Sequence, residues 1–359
     1  MIMVFSVGNF IMICIGSLLL YLAISKKYEP YLLLPIGFGA LLVNLFPDVM
    51  AGGGFLSFLY TYGVLTDIFP YLIFIGIGAM IDFGALLERP YILLMGGAAQ
   101  FGIFAALLAS IQLGFSLPEA SSIAIIGAMD GPSTIIMAAR FAPHLLGPIS
   151  VVAYSYMALV PMIQPPIMRL LTTKKERMTT MTYAKPVSPK VRIIFPVATT
   201  LIICYILPSA TPIVGMLMLG NLFRESGVVQ KLAEVSQDAL ANTITLFLGV
   251  TVGATMNASV FLTLQTIEIM ILGIVAFSMA TAMGLLIGKL MYRLSGGKVN
   301  PLIGAAGVSA YPMSARVVQT EGQRENPQNH LLMHALAVNT GGQIASVIAV
   351  GIFLTLLST

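Results

Sequence analysis

The chain has 359 residues, 58% of them hydrophobic and 9% charged, with a formal net charge of +4. Soluble domains carry roughly a quarter charged residues, so this composition excludes an ordinary soluble enzyme and marks an all-α polytopic membrane protein, in which about 20 residues per span leave no room for a separate soluble domain. The basic residues sit in loops between apolar runs, which excludes a nucleic-acid surface, and Cys14 and Cys204 lie inside apolar stretches, which excludes a disulfide framework or a thiolate metal cluster.

Apolar runs fall at residues 4–24, 31–46, 68–87, 91–113, 118–138, 145–168, 191–207, 211–223, 242–262, 267–292, 299–318 and 331–357. The first lacks a basic start and ends in Lys26-Lys27 with no small-residue cleavage site, so it reads as a retained span rather than a signal peptide. The runs at 118–138 and 299–318 are the most interrupted, holding Asp130-Gly131-Pro132 and Asn300-Pro301 followed by Gly304, Gly307 and Pro312. Such segments make poor lipid-facing helices and good cavity linings.

The two halves of the chain repeat each other. Asn44-Leu45-Phe46 recurs as Asn221-Leu222-Phe223, Gly78-Ala79 with Asp82 recurs as Gly253-Ala254 with Asn257, and Gly131, Ser133, Met137 and Arg140 recur as Gly307, Ser309, Met313 and Arg316. The offset stays near about 176 residues across three separated segments. The expected organisation is a lead helix (1–30), a first repeat (31–170), a basic linker with the start of a connecting helix (171–204) and a second repeat (205–359). If the two interrupted runs dip in and return while every other run crosses, 17 of the 18 Lys and Arg residues fall on one side, Arg140 being the exception. That side is the cytoplasm. The repeats are then inverted, with one broken or re-entrant segment entering from each face towards the midplane, as in ion-coupled carriers.

Asp130 is the organising residue. A charge near a bilayer centre costs roughly 2.5–3.5 kcal/mol even on lenient scales, and the adjacent Gly-Pro frees main-chain carbonyls at the same depth. A carboxylate with loose carbonyls forms a cation site; the plain alternative is a solvated turn at the membrane edge. In the second segment, Asn300 and Ser309 offer neutral oxygens for the same ion, against the plain roles of helix capping and close packing. Arg316 is a candidate anion-binding group at the cytoplasmic mouth or a positive-inside anchor. Tyr156 is a candidate ligand or proton relay, or an interfacial anchor. Asp82, Asn257 and Asn339 are expected along the same cavity. His144 and His334 read as loop or packing residues, and 174–177 as a solvated face or a docking surface for an acidic partner.

The stretches GAMIDFGALLERP, GGAAQFGIF, MDGPSTI, FAPHLLGPISVVAYSYMALVPMIQPPIMRLLTTKKER, NPLIGAAGVSAYPMSARV and NPQNHLLMHA together resemble the beta subunits of sodium-pumping biotin-dependent decarboxylases, the group acting on oxaloacetate, methylmalonyl-CoA, glutaconyl-CoA and malonate. The resemblance implies a bacterial inner-membrane, multi-pass subunit that decarboxylates carboxybiotin brought by a separate biotin-carrier subunit. Sodium then moves outward as a proton is consumed. Its implied partners are that carrier, a carboxyltransferase subunit, a small membrane subunit and further copies of the chain. Its functional positions fall on Asp130, Tyr156, Asn300, Gly304, Ser309 and Arg316: Asp130 and Asn300 around a first Na+, Tyr156 and Ser309 around a second, and Arg316 facing carboxybiotin. Asn339 carries over as a further Na+ ligand. A sodium-coupled solute carrier of the same architecture is the alternative.

Overall fold

The structure is a computed structural model describing residues 6–182 and 187–358, so residues 1–5 of the lead segment, residues 183–186 of the predicted linker and residue 359 lie outside the described residues. The described residues form helices joined by turns, with no strand among them. Among the described residues six helices are long and apolar enough to cross a membrane: Val7–Ser25, Pro90–Gln112, Pro143–Leu171, Pro189–Ile206, Leu264–Leu294 and Leu332–Leu357. A seventh arises if the bent pair Pro30–Leu45 and Pro47–Val64 counts as one. On Pro189–Ile206 only Pro196 is buried, while Leu201 and Tyr205 are 67% and 89% exposed. A water-soluble fold does not tolerate so continuous an apolar face, whereas a bilayer solvates it. The chain is a multi-pass membrane protein.

Twelve apolar runs thus resolve into fewer long helices, because Gly, Pro and polar caps shorten the others. The run at 68–87 stops at Met80, where Ile81 becomes extended and Asp82 accepts a hydrogen bond from Gly84 N at 2.8 Å. The run at 242–262 stops at Ala254, and Asn257 caps the next short turn through Val260 N. The segment Phe55–Val64, a short α-helix continued by a π-turn, was not among the predicted runs.

Two asparagines that match each other in the sequence make matching interhelical bonds. Asn44 Nδ2 donates to the Met256 carbonyl at 2.8 Å, and Asn221 Nδ2 donates to the Ile81 carbonyl at 2.9 Å. Both asparagines are buried, and each reaches the point where a helix of the other half ends. Interhelical hydrogen bonds in membrane proteins contribute about 1 kcal/mol each. Asn221→Leu is therefore expected to lower the melting temperature in detergent by about 2–4 °C, and Asn44→Leu by a similar amount. Unchanged melting for both would show that the interlock adds nothing to stability.

The interrupted segments fold around these frames. The first runs through Leu117–Ala124, a tight turn at Ile125–Ala128, left-handed Met129 (φ 58°) and the helix Gly131–Phe141. Its limbs are joined where Ser122 Oγ donates to Met137 O, and its two ends are held by Glu119 to His144 at 2.8 Å and Arg140 to Asp67 at 2.6 Å. The second comprises Pro301–Gly307 in 3-10 conformation, an extended turn, and the helix Met313–Glu325. Both of its ends return to one stretch of chain, Asn300 donating to Arg177 O and Thr179 O while Glu325 pairs with Arg177.

Candidate functional site

The tips of the two segments touch: Ser309 N donates to Ala128 O at 2.8 Å, two residues before Asp130. Asp130 caps the helix Gly131–Phe141. Its φ of −116° keeps it outside the helix while Oδ1 accepts from Ser133 N, satisfying an otherwise orphaned first-turn donor. Pro132, lacking an N–H, sits in the first turn where none is needed. The other carboxylate oxygen, Oδ2, accepts from Ser133 Oγ at 2.8 Å, Gln343 Nε2 at 2.9 Å and Ser346 Oγ at 3.1 Å.

The carboxylate is only 3% exposed, and among the described residues no lysine or arginine pairs with it. A buried carboxylate needs positive charge beside it. Neutral donors fix its geometry and leave that requirement to a mobile cation or a proton.

Neutral oxygens surround the junction. Ser309 is 5% exposed, and its Oγ has no hydrogen-bond partner among the described residues; the same holds for Tyr154 OH, Asn339 Oδ1 and Thr340 Oγ1. Tyr154 packs on Gly131, where an added Cβ would come within 2.2 Å of its ring and 2.9 Å of its hydroxyl oxygen. Asn339 directs its amide to Ala306 O, Val308 O and Ser314 Oγ, bracing the second tip. Gln343, four residues on and about 6 Å along the same helix face, braces the first. The helix Leu332–Leu357 therefore holds both tips with one polar stripe, Asn339, Gln343 and Ser346. A carboxylate with several uncharged oxygens suits a hard cation.

The structure separates some residues that sequence reasoning grouped. Asn300 Oδ1 accepts from Leu302 N and its amide is spent on the linker carbonyls of Arg177 and Thr179. Pro301 packs on Gly288 and Gly304 on Gly284, so Asn300 lies down the long helix from the tip. Seven residues of 3-10 chain span about 14 Å. In this conformation Asn300 does not share a ligand shell with Asp130. Tyr156 donates to Met270 O and packs on Gly273, facing the helix Leu264–Leu294, with no hydrogen bond to Ser309. Asp82 does not line the junction either, being paired with Arg192 at 2.9 Å and Arg224 at 3.7 Å. Asn257 lines a separate cleft with Asn9 and His144. Arg316 lies exposed on Met313–Glu325 and lines a cleft of about 340 Å³ with Glu29, Pro161, Pro165 and Thr320.

Gln343, Ser346, Ser133 and Tyr154 were missed. The signal for the first two was present, since polar residues at 339, 340, 343 and 346 mark one face of an otherwise apolar helix. Gln343→Leu removes a donor from the carboxylate, and hydrogen bonds to charged groups contribute about 1.5–3 kcal/mol. The melting temperature in detergent is expected to fall by several degrees in this variant, and an unchanged value would show that the bond adds nothing to stability.

Residues 8–357 match the family model of the Na+-transporting oxaloacetate decarboxylase beta subunit. The chain belongs to this family. It is 52% identical to the methylmalonyl-CoA decarboxylase subunit beta of Veillonella parvula, covering 99% of this chain and 94% of the relative. Identity is 51% to the glutaconyl-CoA decarboxylase subunit beta of Acidaminococcus fermentans, covering 98% and 94%. It is 44% to the oxaloacetate decarboxylase beta chain of Klebsiella pneumoniae, covering 97% and 94%. These relatives are beta subunits of decarboxylases, and the buried acid at the junction belongs to a chain of a Na+-transporting decarboxylase family.

Proposed function

We propose that this chain decarboxylates carboxybiotin presented at its cytoplasmic face by a biotin-carrier subunit and uses the release of CO2, with consumption of a proton, to move Na+ outward. A carboxyltransferase subunit and a small membrane subunit complete the complex in the bacterial cytoplasmic membrane. The choice of carboxyl donor is made on the carboxyltransferase and leaves no mark on this junction.

The observation that carries this reading is Asp130: buried, hydrogen-bonded by neutral donors, and without a cationic partner. Na+ and a proton are alternative ways to neutralise it, and exchange of one for the other at a single carboxylate is a coupling mechanism. Ser309 and the other open oxygens of the junction complete the Na+ shell. Tyr156, Gly304 and Asn339 act at its margins, and Asn300 acts where ions pass between the junction and the linker. Arg316 binds the carboxylate of the arriving substrate.

The architecture fits two inverted repeats, 31–170 and 205–359, after a lead helix and joined through the linker at 171–204. Each reciprocal asparagine bond has its counterpart in the other half; Glu119 at the start of the first interrupted segment pairs with His144 just past its end, and both ends of the second return to Arg177. Re-entrant segments entering from opposite faces account for both features. Relative movement of the two sets of helices then opens the junction to each side in turn.

The test is Na+-stimulated decarboxylation of free carboxybiotin by the purified complex, followed with 22Na+ uptake in proteoliposomes. Stimulation and uptake that rise together support the reading. Decarboxylation indifferent to Na+ refutes it, and uptake of Na+ with a solute in the absence of any biotin carrier favours a solute carrier.

A further inference from the structure

The cleft that holds Arg316 contains a second uncommitted charge. Its other acid, Glu321, is engaged by Arg169 through two contacts at 2.8 and 2.6 Å and by Arg324 at 3.9 Å. Arg316 and Glu29 have no ion-pair partner within 4 Å among the described residues, yet both line the cleft. They are close enough for the guanidinium to act electrostatically on the carboxyl.

Glu29 is held in place. Its backbone is left-handed (φ 35°), a conformation that non-glycine residues adopt only when their surroundings impose it. Its carbonyl accepts from Leu32 N and Leu33 N, and neighbouring Tyr28 donates through its hydroxyl to Met162 sulfur at 3.2 Å, on the helix that supplies Pro161 and Pro165. Burial pushes the Glu29 carboxyl above the usual carboxylate range, against the opposing pull of Arg316. The remaining charges near it are Lys26 and Lys27 on its own segment and the Arg169–Glu321–Arg324 group across the cleft.

The geometry points to Glu29 as the acid that protonates the departing ureido nitrogen of the substrate whose carboxylate Arg316 holds. This rests on the reading of the cleft given above. When the N–C bond breaks, its electron pair stays on nitrogen and CO2 leaves as a neutral molecule. The Glu29 carboxyl proton passes to that nitrogen, leaving an N–H and a Glu29 carboxylate, which takes its next proton from the junction, as the exchange at Asp130 requires. Pro161, Pro165, Met313 and Val317 line the walls with apolar surface, and the prolines offer no N–H to compete for the nitrogen.

The test compares Glu29→Gln and Glu29→Asp with wild type in the complete complex. General acids contribute about 10²–10⁴-fold, so Glu29→Gln is expected to lower kcat for free carboxybiotin at least about 100-fold with KM and equilibrium 22Na+ binding unchanged. Glu29→Asp should recover a large part of the rate. The wild-type rate requires the protonated carboxyl, so kcat falls as pH rises through the raised Glu29 value; the residual rate of Glu29→Gln should lack that limb. The solvent deuterium isotope effect on kcat should be larger in wild type than in Glu29→Gln. A Glu29→Gln enzyme with wild-type kcat and pH profile, an effect confined to KM, or an unchanged isotope effect would overturn the assignment and leave the cleft reading standing. A wild-type complex that does not decarboxylate carboxybiotin would remove both.

Discussion

Replacing Asp130 with Asn is expected to abolish Na+-dependent turnover and Na+ uptake together while leaving the protein folded. Asparagine keeps the shape of the cap and one acceptor oxygen for Ser133 N, so the helix Gly131–Phe141 retains its start. The negative charge is what disappears. Removing one member of a buried ion pair costs about 3–5 kcal/mol, which corresponds to a weakening of Na+ affinity of roughly a hundred- to several-thousand-fold. The neutral oxygens of Ser309 and Tyr154 carry no charge with which to compensate. Initial rates and 22Na+ uptake measured side by side check this, with gel filtration confirming the assembled complex. Uptake lost while Na+-stimulated decarboxylation persists would mean that Asp130 serves transport alone, and full retention of both would remove it from the mechanism.

Gly304→Ala is expected to have an effect of comparable size through a different cause. A Cβ at Gly304 would stand 2.0 Å from the Gly284 carbonyl oxygen, and one at Gly284 would stand 2.0 Å from the Gly304 carbonyl oxygen. Both obstacles are backbone, so no rotamer change relieves them. The 3-10 segment Pro301–Gly307 must leave the long helix, carrying with it the tip that contacts Ala128. Overpacking typically costs about 1–3 kcal/mol, and the displaced tip adds a loss of Na+ affinity. Gly97→Ala is the matched control, since nothing lies within 4 Å of a Cβ there. Melting temperature and Na+ half-saturation should both worsen in Gly304→Ala and stay near wild type in Gly97→Ala. Equal behaviour of the two variants would place the importance of Gly304 elsewhere.

Composition alone made the membrane class legible, and the paired positions of Asn44 with Asn221 and of Gly78 with Gly253 pointed to two related halves. Asp130 stood out because a charge in an apolar run is costly, and its burial at the contact between the two interrupted segments agrees with that reasoning. Rotation about helix axes was not legible. Tyr154 and Tyr156 are two residues apart, about 200° around a helix, so one faces Gly131 and the other Met270 and Gly273. The sequence favoured the second, whereas the structure sets the first beside Asp130. Gln343 and Ser346 reach Asp130 from more than 200 residues away, a pairing that no local pattern encodes. Asn300 carried the right chemistry for an ion ligand, but its commitment to Arg177 and Thr179 depends on where the linker folds back.

Na+ is expected to be held where the two interrupted segments meet. The most direct measurement is a density map of the complex in saturating Na+, compared with one in which choline replaces it. The expected result is a Na+-dependent feature in contact with the Asp130 carboxylate and with oxygens of the Val308–Ser309 tip. Absence of any such feature at the junction, with Na+-dependent density found instead in the cleft lined by Asn9 and Asn257, would contradict it.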